Sequence, residues 1–247
     1  MTKLQVTLKI NPNIYIKDPI STKLGQRILE KGLIYLDEAG IEEFSFRKLA
    51  TLLQSTESSI YRYFENKHYM FVYMLNWYWE WMSTRIDVNT MNIEDPIEKF
   101  KKILDLLIDS ANTNTETPYI DEAILHRVVV REGAKAYRHK MVDDENGHGF
   151  FLSYKALCKK IGDVIVEINP SFKYPKSLAS TLIETTNNNI YFIRHLPRLT
   201  DIKDNKDSIA GDLREMLMQI SLPALLGNHG DFKNAKHSSL LKTMNSN

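Results

Sequence analysis

Residues 45–67 read SFRKLATLLQSTESSIYRYFENK, and the rest of the chain is organised around them. Phe46, Leu49, Ala50 and Leu53 fall at i, i+3, i+4 and i+7, the apolar face of a helix, with Ser45 before them as N-cap. Gln54-Ser55-Thr56 interrupts the pattern. Thr56 is placed to cap a second helix that turns Ile60 and Phe64 inward and Glu57, Ser58, Ser59 and Arg62 outward. Asn66 is placed to cap a third, with Lys67 in its first turn. A short helix, a turn of about three residues and a second short helix with a small, polar face suit a DNA major groove.

Outward from this stretch toward the N-terminus, Pro19 and Ser21-Thr22 announce a helix striped by Leu24, Ile28, Leu29, Leu33 and Leu36. It closes at Gly40, where a residue with positive φ is expected. Before it, Leu4, Val6, Leu8 and Ile10 alternate with Gln5, Thr7 and Lys9, Asn11-Pro12-Asn13 makes a turn, and Ile14-Tyr15-Ile16 follows. The pattern is that of a strand or small hairpin in an arm over residues 1–20. A lone hairpin is marginal in water, so this arm needs the body or another chain as a partner. An arm ordered only in places is the other reading.

Toward the C-terminus the pattern is helical throughout. The helix from Lys67 to about Arg85 carries Met70, Phe71, Met74, Trp77, Tyr78, Trp79 and Trp81, which cannot share one face. Some are expected against the N-terminal bundle and others in a second domain. Asp87 to Asp95 reads as a polar connection, and Pro96 suits a first helical turn. Ile97, Phe100, Ile103, Leu104, Leu107 and Ile108 make the next apolar face. Asn112 to Thr117 reads as a loop and Pro118 as the start of a helix with Ile120, Ala123, Ile124 and Val128 inward. Asp143 to Gly149 reads as a loop, followed by a helix from Phe151 to Ile168 that stops near Asn169-Pro170. Helices near 175–196 and 206–226 carry continuous stripes and are long enough to form a four-helix interface with a two-fold mate, or else to close a monomeric bundle. Residues 228–247 form a polar tail.

Bulk properties set limits on function. The chain has 247 residues, 43% hydrophobic and 26% charged, with a formal net charge of +1, so any DNA contact must come from a local patch. Cys158 is the sole cysteine, which excludes an intramolecular disulfide. The N-terminus lacks the apolar core of a signal peptide, and no run reaches the roughly 18 apolar residues of a membrane span. A soluble, cytoplasmic protein is expected.

Leu24 to Phe71 resembles the DNA-binding domain of tetracycline-repressor-like (TetR family) transcriptional regulators. The resemblance rests on the acidic residues and glycine closing a helix (Leu36-Asp37-Glu38-Ala39-Gly40), on Ser45-Phe46-Arg47-Lys48-Leu49-Ala50, and on Ile60-Tyr61-Arg62-Tyr63-Phe64-Glu65-Asn66-Lys67. It implies an all-α fold: a three-helix helix-turn-helix domain over 21–68, then a helical effector-binding and dimerisation domain over 69–227. It also implies a homodimeric repressor of a near-palindromic operator, modulated by a small molecule, with the dimer formed through the helices near 175–196 and 206–226. Carried position by position, the resemblance makes Glu57, Ser58, Ser59, Tyr61 and Arg62 the groove-facing set and Ser45, Arg47, Lys48, Tyr63 and Lys67 the phosphate contacts. Tyr61 and Tyr63 also read as half-buried core, and Lys48 as a solvated charge. The family's turn usually contains Gly-Val-Ser; here Gln54-Ser55-Thr56 stands in its place, so a positive φ would fall on Gln54 at about 1 kcal/mol.

Over Leu24 to Lys67 the six cations Arg27, Lys31, Arg47, Lys48, Arg62 and Lys67 meet seven anions, Glu30, Asp37, Glu38, Glu42, Glu43, Glu57 and Glu65. A neutral domain can still bind DNA if Asp37, Glu38, Glu42 and Glu43 lie on the far side. Elsewhere no histidine pair has zinc-ligand spacing with a second pair behind it, and no catalytic fingerprint is present, so neither a metal, a cofactor nor an enzymatic activity is expected. Glu122 and His126, at i, i+4, read as a hydrogen-bonded pair, and Cys158 as inert core. Trp77, Trp81, Phe100, His126 and Tyr154 are the candidates for lining an effector pocket, and core packing explains them equally well. The reading from another class is a helical small-molecule or protein-interaction module without productive DNA binding, suggested by the glycine-free turn and the neutral charge.

Overall fold

In the computed structural model of the protein, residues 8–109, 119–205 and 207–227 are described, and among them all regular secondary structure is helical. The expected N-terminal strand is absent from the described residues; its first part, residues 1–7, lies outside them. Pro12–Ile14 forms a 3-10 turn, and Tyr15 is extended but has no partner strand. Instead Ile14 is fully buried, and the Ile16 N–H donates to the Tyr63 carbonyl at 2.8 Å. The described part of the arm serves a helical body, not a ladder.

Helix α1, Lys23–Glu43, is capped by Thr22, whose hydroxyl accepts from the Gly25 N–H, and its regular part ends at Gly40 with φ +75°. Gly25 sits against the Pro19 turn: a Cβ there would lie 2.2 Å from the Pro19 carbonyl oxygen. Helix α2, Phe46–Leu52, is capped by Ser45 as expected, and α3 spans Glu57–Tyr61. Between them Gln54 takes φ +53°. Gln54 N–H donates to Thr51 C=O at 3.1 Å and Ser55 N–H to Ala50 C=O at 2.9 Å. This is the bonding pattern of a Schellman motif with glutamine at the C′ position usually held by glycine. Thr56 precedes α3 but does not cap it with its side chain; its hydroxyl pairs with those of Ser58 and Ser59.

Helix α4, Lys67–Thr90, is capped by Asn66 and is buried on nearly every side between Met70 and Met82, as expected of a helix running through the centre of a protein. It extends past Arg85 into the stretch expected as a connection. Helix α5, Pro96–Ile108, has Asp95 as N-cap and proline in its first turn. Helix α6, Glu122–Tyr137, starts at an Asp121 cap rather than at Pro118, which with residues 112–117 lies outside the described residues. The expected loop 143–149 contains a short helix α7, Val142–Gly147, whose first turn holds Asp143, Asp144 and Glu145, residues favoured at a helix N-terminus. Helices α8, Leu152–Ile168, α9, Pro175–His195, and α10, Ile209–Leu226, complete the bundle.

One apolar core runs from Ile28 and Leu49 through α4 to Leu182 and Leu217. A polar clasp joins α1 to α6. Arg127 pairs with Asp37 at 2.6 Å, Arg131 donates to the Leu36 and Asp37 carbonyls, and Lys135 reaches Glu42 at 3.4 Å and Glu132 at 2.8 Å. Burial pushes the Glu132 carboxyl up, but its hydrogen bonds and charge contacts with Lys135 and Arg131 outweigh this and hold it below the usual range. Asp37 and Glu42 therefore face the C-terminal helices. No described helix is long and apolar enough to cross a membrane.

Candidate nucleic-acid interface

The α2–α3 unit has one face in the core and one in solvent. Phe46, Leu49, Ala50, Leu53, Ile60 and Phe64 are buried. Arg47, Lys48, Ser58, Tyr61 and Arg62 are exposed, and Ser45, Glu57 and Ser59 are half-buried on the same unit. The Tyr61 ring, 46% exposed, rests edge-on against Phe46 at 5.1 Å. Ser45 accepts from the Lys48 N–H, so its hydroxyl closes α2. No ion pair engages the Arg47, Lys48 or Arg62 side chains among the described residues, which leaves three cationic groups available to an anionic partner.

Two expected phosphate contacts have other roles. Tyr63 is only 4% exposed, and its hydroxyl is 2.7 Å from that of Thr22, the residue capping α1. It is core, pointing inward because α3 ends at Tyr61 and the next turn folds back on the body. The Lys67 ammonium donates to the Ile41 and Glu42 carbonyls at 2.8 and 2.9 Å, satisfying the end of α1. A cation not singled out in the sequence packs beside this unit: Lys17 lies 5.7 Å from the Tyr63 ring centroid, brought there by the Ile16–Tyr63 hydrogen bond. Nothing in the local pattern around Lys17 signals this, because the contact depends on where the arm docks.

No protein-family model matches the chain, and no curated protein matches it. Solved structures do. AibR, in complex with isovaleryl coenzyme A and operator DNA, is similar at TM-score 0.53 and 13% identity over 76% of this chain and 95% of that one. A TetR-family transcriptional regulator from Pectobacterium atrosepticum gives TM-score 0.53 and 14% identity over 81% and 95%. The fatty acid degradation regulator FadR from Bacillus halodurans gives 0.54 and 15% over 82% and 95%. The chain has the TetR-type fold.

Within this TetR-type fold, the five residues expected around an effector take separate places among the described contacts. Trp77 and Trp81 stack at 6.4 Å inside the α4 core, and Phe100 is fully buried. Tyr154 stacks on Trp79 at 4.5 Å and donates to Glu184 at 3.0 Å. His126 Nδ1 is 2.8 Å from the Tyr78 hydroxyl; burial, with Arg194 and Arg127 nearby, lowers its pKa to about 4 and keeps the ring neutral. Of the five, His126 lines a recess of about 70 Å³ between α6 and α9. Burial raises the Cys158 thiol to about 11, in keeping with its reading as inert core.

A cleft of about 590 Å³ opens elsewhere, between α5, α9 and α10, within the range of small-molecule sites. Leu106, Ile108, Ile190 and Ile193 supply apolar walls, and Lys102, Arg194 and Arg214 supply positive charge. Arg214 is paired with Asp105, also in the wall. None of the five expected pocket residues lines this cleft.

Proposed function

We propose that the protein is a sequence-specific DNA-binding transcriptional regulator that acts as a homodimer and responds to a small anionic molecule. The observation that carries the reading is the outward face of α2–α3. Its cations are free of ion pairs among the described residues, its opposite face is core, and its turn has the bonding of a helix-turn-helix although glutamine replaces glycine. That turn weakens one of the two grounds for a module without productive DNA binding, the missing glycine. In this reading Glu57, Ser58, Ser59, Tyr61 and Arg62 face bases, and Ser45, Arg47, Lys48 and Lys17 lie along phosphates. Tyr63 and Lys67 position the unit instead.

Exposed apolar side chains near the ends of α9 and along α10, among them Tyr174, Leu196, Ile220 and Leu226, support dimerisation through these helices. The cleft between α5, α9 and α10 combines apolar walls with Lys102 and Arg194, beside the Arg214–Asp105 pair and Asp109, a combination that can take an acyl chain bearing an anionic head. AibR carries a coenzyme A thioester of that general chemistry. Selection of bound duplexes from fragmented genomic DNA tests the reading. The expected result is enrichment of a near-palindrome whose affinity falls on Arg62→Ala and on adding short-chain acyl-coenzyme A to the wild type. A folded, dimeric protein that enriches no sequence overturns it.

A further inference from the structure

We propose that His68, His139 and Glu145 form a binding site for a divalent transition-metal ion of the zinc class. His68 lies in the first turn of α4, His139 in the turn after α6, and Glu145 in α7. The His68 Nε2 is 2.9 Å from one Glu145 carboxylate oxygen, and the His139 Nε2 is 3.1 Å from the other. One ligand atom from each residue lies within 4.8 Å of the other two, and the imidazole rings stand 4.7 Å apart.

The surroundings favour a cation there. Glu145 is 7% exposed, yet among the described residues its side chain is paired with no lysine or arginine, only with these two imidazoles. A carboxylate withdrawn from water needs compensating positive charge, which a dication held between it and the two imidazoles supplies. Both imidazoles remain about a quarter to a third exposed at their side chains, which leaves an entry path and room for a water as fourth ligand. Two imidazole nitrogens and one carboxylate oxygen suit zinc, cobalt, nickel or ferrous ions; magnesium and calcium prefer oxygen throughout. Coordination through His139 Nε2 moves the ring proton to Nδ1. The bond it then displaces is a long one, from the Met141 N–H at 3.3 Å, just ahead of α7.

The three residues are invisible as a site in sequence. Glu145 is six residues from His139 but 77 from His68, and the fold alone brings α4 and α7 together. An ion here ties the helix that follows the recognition helix to the α6–α7 segment. The same region holds the N-terminal arm, since the Asn11 amide donates to the His148 and Gly149 carbonyls. An effect on DNA affinity rests on the regulator reading above, whereas ion binding itself does not.

The test uses full-length, tag-free, chelator-treated protein. Titration with Co²⁺ followed by visible absorption, then displacement by Zn²⁺, is expected to show saturation at one ion per chain and no response to Mg²⁺. His68→Gln, His139→Ala and Glu145→Gln are each expected to weaken Co²⁺ binding at least tenfold, while His148→Ala leaves it unchanged. Circular dichroism identifies any variant that fails to fold, and the remaining variants then carry the comparison. Absence of saturable Co²⁺ and Zn²⁺ binding by the wild type, or equal affinity in the folded variants, overturns the proposal.

Discussion

At the residue scale, the contrast between Arg47 and Lys67 separates an unpaired surface cation from a strut. Arg47 is exposed and has no ion-pair partner among the described residues, whereas two carbonyls at the end of α1 hold the Lys67 ammonium. Arg47→Ala is therefore expected to reduce the salt dependence of operator binding by about 0.9 in log–log slope, the value for one phosphate left unneutralised. Lys67→Ala is expected to leave that slope unchanged and to lower folding stability by about 1 kcal/mol, read from urea unfolding. Gln54 is the second informative residue. Its φ of +53° is uncomfortable for a side chain, and Gln54→Gly is expected to stabilise the protein by up to about 1 kcal/mol while leaving operator recognition intact. A loss of stability in that variant would show that the glutamine side chain makes a favourable contribution of its own.

At the element scale, α4 and α6 meet where His126 is buried against Tyr78. The pKa of His126 falls from 6.5 to about 4 on folding, mainly through burial, so across that interval the unfolded chain binds the proton and the folded chain does not. Its contribution is thus fully present above 6.5 and is lost as pH falls toward 4, a total of roughly 3 kcal/mol. Urea midpoints measured across this interval should fall with acid in the wild type and fall less in His126→Gln. Equal slopes in the two proteins would place the acid sensitivity elsewhere. The α1–α6 clasp acts at the same scale. Arg131 closes the last carbonyls of α1 while Asp37 and Glu42 bind α6 cations, so charge that would repel DNA is directed toward the C-terminal helices.

At the scale of the whole molecule, the proposed regulator requires two copies of α3 held apart by a two-fold interface to match groove spacing. The apolar side chains exposed on α9 and α10 make the test direct. Ile220→Glu, half-exposed on α10, is expected to shift the protein toward monomer in sedimentation and to weaken operator binding at least tenfold. A dimer that persists in this variant and in Leu226→Glu would locate the interface on another surface.

Sequence by itself determined most of the helices and the motif, because these depend on neighbours three to seven residues away. The stripe of Phe46, Leu49, Ala50 and Leu53, the Ser45 and Asn66 caps, and the positive φ at Gly40 are all local, and all appear in the structure. Alternation marks a strand only when a partner strand is present, and the described part of the arm, from Leu8 on, docks on helix ends instead. Tertiary structure alone decided which polar groups of the motif are free. Tyr63 and Lys67 look like their neighbours in sequence, but the direction of the chain after α3 turns one into the core and the other onto α1. It also decided where space lies: Trp77 and Trp81 stack inside the core, and a cleft opens between α5, α9 and α10. And it gathered His68, His139 and Glu145 around one point, since sequence separation sets no limit on which side chains a folded bundle brings into contact.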